Sequence, residues 1–145
     1  MGVLTDYFIA GSDAEAAATL KATGGPKPVG LVTAQPKGVD PVVNLATLEE
    51  IFTGTDSMAI ISEGDDPVVH GGSDGPWVLR VRPSLVAALT TTHPGKLPDV
   101  AAGWAATEEY EGTDPKELLE VLQHLGRIAK ESLDENKRLY CWMSL

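Results

Sequence analysis

The chain is poor in cysteine and in long apolar runs. Cys141 is the single cysteine, so the chain cannot form an internal disulfide. Its place in the apolar run 139–143 predicts that the thiol is buried in the core. A free thiol also indicates a protein of a reducing compartment. The first twenty residues have no basic region, and no apolar run approaches the ~20 residues that span a bilayer. We therefore expect no secretion signal and no membrane span. We expect the protein to be cytoplasmic.

Basic residues and mechanistic motifs are also scarce. Eleven lysines and arginines stand against twenty-one acids, which gives a formal net charge of −10. Such a charge repels phosphate backbones and anionic membrane surfaces, so nucleic-acid and membrane binding are not expected. The sequence has no phosphate-binding loop, no paired metal ligands and no nucleophile elbow. It therefore predicts no cofactor and no metal.

What the chain does contain is the pattern of one α+β domain over residues 1–145. A helix from about Pro115 to Leu133 is capped by Asp114, and the following strand is apolar on both faces, so we expect that C-terminal strand to be internal. The predicted fold is a small mixed β-sheet covered by helices. Its strands are expected near residues 3–9, 58–62, 77–82 and 138–144.

Shorter helices are predicted from their starting signals. Ser12 with Glu15 forms a capping box, and Asp40 precedes a proline at a first helical position. Two more helices are expected from Pro83 and from Leu97. Residues 29–33 are interpreted as a short edge strand, although the prolines that flank them disfavour a strand.

Two arginines, Arg80 and Arg82, alternate with apolar residues in the strand at 77–82. On a half-exposed strand they would pair with carboxylates. As a functional pair they would clamp an anion, but no glycine-rich turn leads into a helix nearby, which favours the first interpretation. A third possibility is a homodimer in which this face meets the acids of a second subunit. Monomer and homodimer both stay open.

An acidic run is the most unusual local feature. Between Glu108 and Glu120 there are six acids and one base, a net charge of −5. The helix N-terminus accounts for some of these acids but not for the first three, and an aromatic of the type enriched at interfaces lies among them. The run is either a solvated connector or a recognition loop. The predicted partner-binding residues are Glu108, Glu109, Tyr110, Glu111 and Asp114.

The function we predict is a small acidic interaction module, of the inhibitor or immunity type, that binds a basic protein through this run. The alternative is a small-molecule-binding domain or enzyme with a pocket near Trp104, Glu108 and His93. Its candidate acids, bases and hydroxyls have no catalytic spacing, and the isolated histidines do not form a zinc pattern. The candidates are Glu108, Glu109 and Asp114 as acid or base, His70 and His93 as proton carriers, and Thr90 to Thr92 as hydroxyls. His124 is interpreted as an ordinary residue of the final helix.

The layout of the chain also carries a family resemblance. It rests on the opening Met1-Gly2-Val3 with its aromatic strand, the helix begun by Ser12-Asp13, the strand and helix from Trp77 to Leu89, and the closing helix and strand. In these features the chain resembles bacterial YfbM-like proteins and similar actinobacterial hypothetical proteins. The resemblance implies a small α/β-type bacterial domain and assigns no chemistry and no catalytic residue.

Deleting residues 138–145 is expected to abolish folding, because the sheet would lose an internal strand that is apolar on both faces. Thermal unfolding checks this expectation. A truncated protein that stays in solution and melts cooperatively would contradict it.

Overall fold

The computed structural model describes residues 4–21, 33–34, 39–63, 69–70 and 76–144. Within these ranges the strands are β1 (Leu4–Ala10), β2 (Thr33–Ala34), β3 (Val69–His70), β4 (Trp77–Arg80) and β5 (Arg138–Ser144). The helices are α1 (Asp13–Ala17), α2 (Val43–Thr53), α3 (Ser57–Ser62), α4 (Pro83–Thr91), α5 (Leu97–Ala105) and α6 (Pro115–Asp134). Short 3₁₀ turns follow α1, precede α5 and precede α6. The predicted α+β class is confirmed.

One sheet joins the described strands in the order β2-β1-β5-β4-β3. The last strand of the chain therefore lies between the first strand and β4, and its predicted internal position is confirmed. Its register runs from Leu4 opposite Ser144 to Ala10 opposite Arg138. All four described pairings are antiparallel, where a mixed sheet was expected. The pattern of apolar residues in a sequence indicates which face of a strand is buried. It does not indicate whether neighbouring strands run parallel or antiparallel.

Both faces of β5 are covered. On one face Leu139 and Cys141 join a large core with side chains from β1 and the helices α2, α4, α5 and α6. On the other face Tyr140 stacks on Phe8, with ring centroids 5.7 Å apart, and packs in a smaller cluster with Ala16 of α1. Because each Å² of apolar surface buried contributes about 25 cal/mol, both layers stabilise the same strand.

The strand predicted at 58–62 is wrong, since residues 57–62 form the helix α3. A short apolar run fits both helical and strand periods, so the pattern alone could not decide. Gly54 ends α2 in the left-handed conformation at φ 79°, and the chain turns so that α3 packs beside α2. On α3 one side is buried, with Ile60 at 3% exposure, and the other is open, with Met58 at 64%.

Two other boundaries differ from expectation. The strand predicted to reach residue 82 ends at Arg80, because Arg82 lies at the N-cap of α4 and Pro83 begins that helix. The edge strand predicted at 29–33 lies outside the described residues except for Thr33. That residue begins β2, which is an edge strand beside β1.

The helix starts predicted at Ser12 and Asp114 are confirmed by their hydrogen bonds, and Ser12 Oγ accepts from the backbone N–H of Glu15 at 3.2 Å. The start predicted at Asp40 and Pro41 is two residues too early, because α2 begins at Val43 with Val42 as its N-cap. Asp40 Oδ1 still accepts from the backbone N–H of Val43, at 2.8 Å. Asp114 Oδ1 accepts from the N–H two residues on, at 3.0 Å. Each bond satisfies a helix N–H that has no partner within its own helix.

Asp13 ties α1 to the sheet. Its carboxylate accepts from the guanidinium of Arg80 on β4 and from the hydroxyl of Tyr140 on β5, the latter at 2.7 Å. These bonds, the arginine first, lower the pKa of Asp13 from 3.8 to about 2. The ionised form of Asp13 therefore holds the short helix against the second face of the sheet.

Changing Asp13→Asn tests this link through pH. The folded-state pKa lies below the unfolded value, so the carboxylate stabilises the protein above about pH 3.8, and this contribution is lost as the pH falls through about 2. Urea unfolding should show the variant less stable at pH 7, with the difference shrinking between pH 4 and pH 2. Asp99→Asn, at an exposed position on α5, is the control. A difference that stays constant down to pH 2 would contradict the assignment.

Candidate functional site

The acidic turn, residues 108–114, is a compact structure between α5 and α6. It begins with a 3₁₀ turn over Glu108–Tyr110 and reverses at Gly112, which has a left-handed φ of 84°. The backbone N–H of Tyr110 donates to the carbonyl of Thr107 at 3.1 Å, and that of Thr113 donates to the carbonyl of Tyr110 at 2.9 Å. These local bonds fix the path of the chain.

Tyr110 anchors the turn in the core. Its side chain is only 8% exposed and meets Trp104 edge to face, with ring centroids 5.1 Å apart. Burial raises the pKa of the Tyr110 phenol above its usual value. Tyr110, which we predicted as a partner-binding residue, therefore has little surface that a partner could contact. An aromatic between acids looks like an interface residue in the sequence, but its ring completes the packing around Trp104.

The carboxylates of the turn point outward. Glu108, Glu109, Glu111 and Asp114 are all exposed. The ion pairs that the structure places among its described residues involve none of them, and the first three are not used as helix caps. The four predicted carboxylates therefore lie together and exposed on a fixed turn, whereas the side chain of Tyr110 is buried.

Among the described candidate catalytic side chains, no two are hydrogen-bonded to each other. His93 Nδ1 accepts from the N–H of Gly95 at 2.9 Å, and His124 is exposed with its Nδ1 3.4 Å from Arg127 Nη2. The hydroxyls of residues 90–92 donate to backbone carbonyls one turn back in α4. The side chain of His70 lies outside the described part of the chain. In that part, no three potential metal ligands lie close together.

The pocket predicted near Trp104, Glu108 and His93 does not coincide with the cleft that the described residues form between α2, α3, β4 and the start of β5. Trp104 is completely buried, and its Nε1 donates to the backbone carbonyl of Asn44 at 3.2 Å. The other two side chains are exposed. None of the three lines that cleft.

Glu49 is the functional candidate that sequence reasoning missed. It is 2% exposed, and its two carboxylate oxygens accept from Arg82 Nε at 3.1 and 3.3 Å. Ser84 Oγ donates to the same carboxylate at 3.0 Å. A buried charge is tolerated when it is paired and hydrogen-bonded in this way. The signal for burial was present, because Glu49 lies four residues after Leu45 on the apolar stripe of α2.

The two arginines of the strand are paired as the first interpretation predicted. Arg80 binds Asp13, and Arg82 binds Glu49. Neither carboxylate is a neighbour in sequence, because the partners are 67 and 33 residues away. A second subunit is not needed to explain these arginines, and whether the chain is a monomer or a homodimer stays a prediction.

The lone cysteine is buried as predicted. Cys141 has no exposed surface, and burial raises the pKa of its thiol. Because the thiolate is the reactive form, this position does not suit a nucleophile.

Comparison with known proteins gives no family assignment. No family model matches the chain, and neither a curated protein nor a solved structure matches it. The resemblance to YfbM-like proteins therefore stays a prediction. Among the described residues, no helix combines the length and the apolar character needed to cross a bilayer.

Tyr110→Ala is expected to destabilise the protein by about 3 kcal/mol, because a large buried aromatic is lost and a cavity opens against Trp104. Urea unfolding measures this change. The matched control is Glu109→Ala, at the exposed neighbouring position, which should stay within about 0.5 kcal/mol of wild type. Equal stability of the two variants would contradict the burial of the Tyr110 side chain.

Proposed function

We propose that the chain is a small acidic interaction module, of the inhibitor or immunity type, whose acidic turn binds a more basic protein in the cytoplasm. The observation that carries the proposal is the exposure of four carboxylates on a turn whose backbone is fixed by its own hydrogen bonds. The contact residues are Glu108, Glu109, Glu111 and Asp114. Tyr110 serves as their anchor.

The rigidity of the turn favours binding. A flexible acidic loop would lose conformational entropy when a partner ordered it, at about 0.5–1.5 kcal/mol for each immobilised side chain and more for the backbone. Here Tyr110 is packed on Trp104, and Thr107 Oγ1 donates to the carbonyl of Trp104 at 2.6 Å. The backbone of the turn is therefore already ordered in the folded protein, and binding a partner costs little further backbone entropy.

The charge of the turn sets the expected partner. Half of the net charge of −10 lies between residues 108 and 120. Exposed carboxylates attract a basic surface over about one Debye length, roughly 8 Å at physiological salt. Such complementarity raises the association rate and the selectivity more than the affinity. A lysine- and arginine-rich protein surface is therefore the partner that this turn suits.

The variant Glu108→Lys, Glu109→Lys, Glu111→Lys tests the proposal. It is used beside wild type as bait for affinity capture from a cell lysate of the source organism at low salt. A specific basic protein should be retained by wild type and reduced about tenfold or more on the variant, because attraction becomes repulsion. With the purified partner, the association rate should fall steeply as salt rises.

The matched control carries the same charge change elsewhere. Asp56→Lys, Asp99→Lys, Glu135→Lys replaces three exposed acids outside the turn and should capture the partner as wild type does. All three proteins must first show the same cooperative melt. Equal loss with both triple variants would mean that only net charge matters, and equal capture by all three would remove the turn from the interface.

A further inference from the structure

The described residues form a cleft of about 1010 Å³ between α2, α3, β4, the start of α4 and the start of β5. Its volume is at the upper end of the 300–1,000 Å³ range of small-molecule sites. Apolar side chains contribute to its wall, and Val42 and Leu133 among them are 40% and 53% exposed. The remaining wall is unusual for this protein because it is rich in basic groups.

We define the basic cleft by its cationic residues, Arg80, Arg82, Lys137 and Arg138. They are four of the eleven lysines and arginines in a chain with a net charge of −10. The carboxylates in its wall are Asp13, Glu49 and Glu63. The first two are paired with Arg80 and Arg82, which leaves Lys137 and Arg138 against Glu63. The local charge is therefore positive.

Arg82 has the geometry of an anion receptor. Its Nε is occupied by the buried carboxylate of Glu49, which Ser84 also holds. The terminal nitrogens Nη1 and Nη2 make no hydrogen bond with any described residue, and the side chain is 36% exposed. A guanidinium fixed through Nε presents these nitrogens as a planar fork, which matches two oxygens of a carboxylate or a phosphate.

Lys137 and Arg138 add charge at the start of β5. Both are exposed, and neither takes part in an ion pair with a described residue. Their position in the wall of the same cleft supplies further donors for an anionic group. The cleft thus combines an oriented fork, two further cations and an apolar wall.

We propose that the basic cleft binds a small organic anion, with its carboxylate or phosphate on the Arg82 fork and its apolar body against the exposed side chains of Val42 and Leu133. This site is separate from the acidic turn. It uses attraction of the opposite sign and a different set of residues.

Three probes of equal chain length test the proposal. Hexanoate and hexyl phosphate carry the two anionic groups, and hexan-1-ol is their neutral counterpart. Titration calorimetry at low salt should show at least one anion bound about tenfold or more tightly than the alcohol, because only anions use the fork. The stronger of the two anions identifies the head group. Dissociation constants above about 10 mM for both, or equal binding of the alcohol, would overturn the proposal.

Arg82→Lys is the decisive variant. It keeps a positive charge beside Glu49 and removes the fork, so the stronger probe should bind about tenfold more weakly while the melt is retained. If that variant does not fold, Lys137→Gln with Arg138→Gln should weaken binding about threefold and reduce its salt dependence. Lys96→Gln is the matched control, an exposed base outside the cleft, and should bind as wild type. An equal loss with Lys96→Gln, or none with the cleft variants, would overturn the proposal.

Discussion

The structure depends on one strand that is buried on both faces. β5 pairs with β1 on one side and β4 on the other, so its backbone is satisfied within the sheet. Cys141 faces the larger core, and Tyr140 faces the smaller cluster with α1. Without this strand, two unpaired edges and two uncovered layers would meet water, at a cost that a domain of this size cannot offset.

The same strand organises the charged groups. β4 pairs with β5 and carries Arg80, while Arg138 opens β5 itself, and both line the basic cleft. α6 leads into β5, and its first turn adjoins the acidic turn. At 1.5 Å per residue, its 20 residues place the acidic turn about 30 Å from Lys137 and Arg138 at the opposite end of the helix. At physiological salt this exceeds the Debye length several times, so these two cations are screened from the acidic turn.

Local signals predicted the parts of the fold that local chemistry decides. The caps at Ser12 and Asp114, the last helix and the internal last strand all follow from side chains close in sequence. Residues 57–62 were misassigned because a short apolar run is compatible with a strand and with a buried helix. Sheet direction also has no local signal.

The candidate sites depend on contacts between distant parts of the chain, which a single sequence does not reveal. Tyr110 is buried because Trp104 lies beside it, and Arg82 is oriented by Glu49, 33 residues earlier. Hydrogen exchange tests the central claim, that β5 is the buried centre of the fold. The backbone amides of Leu139 to Cys141 should be protected to the free energy of global unfolding and exchange far more slowly than those of α3. Exchange in β5 as fast as in α3 would contradict this account of the fold.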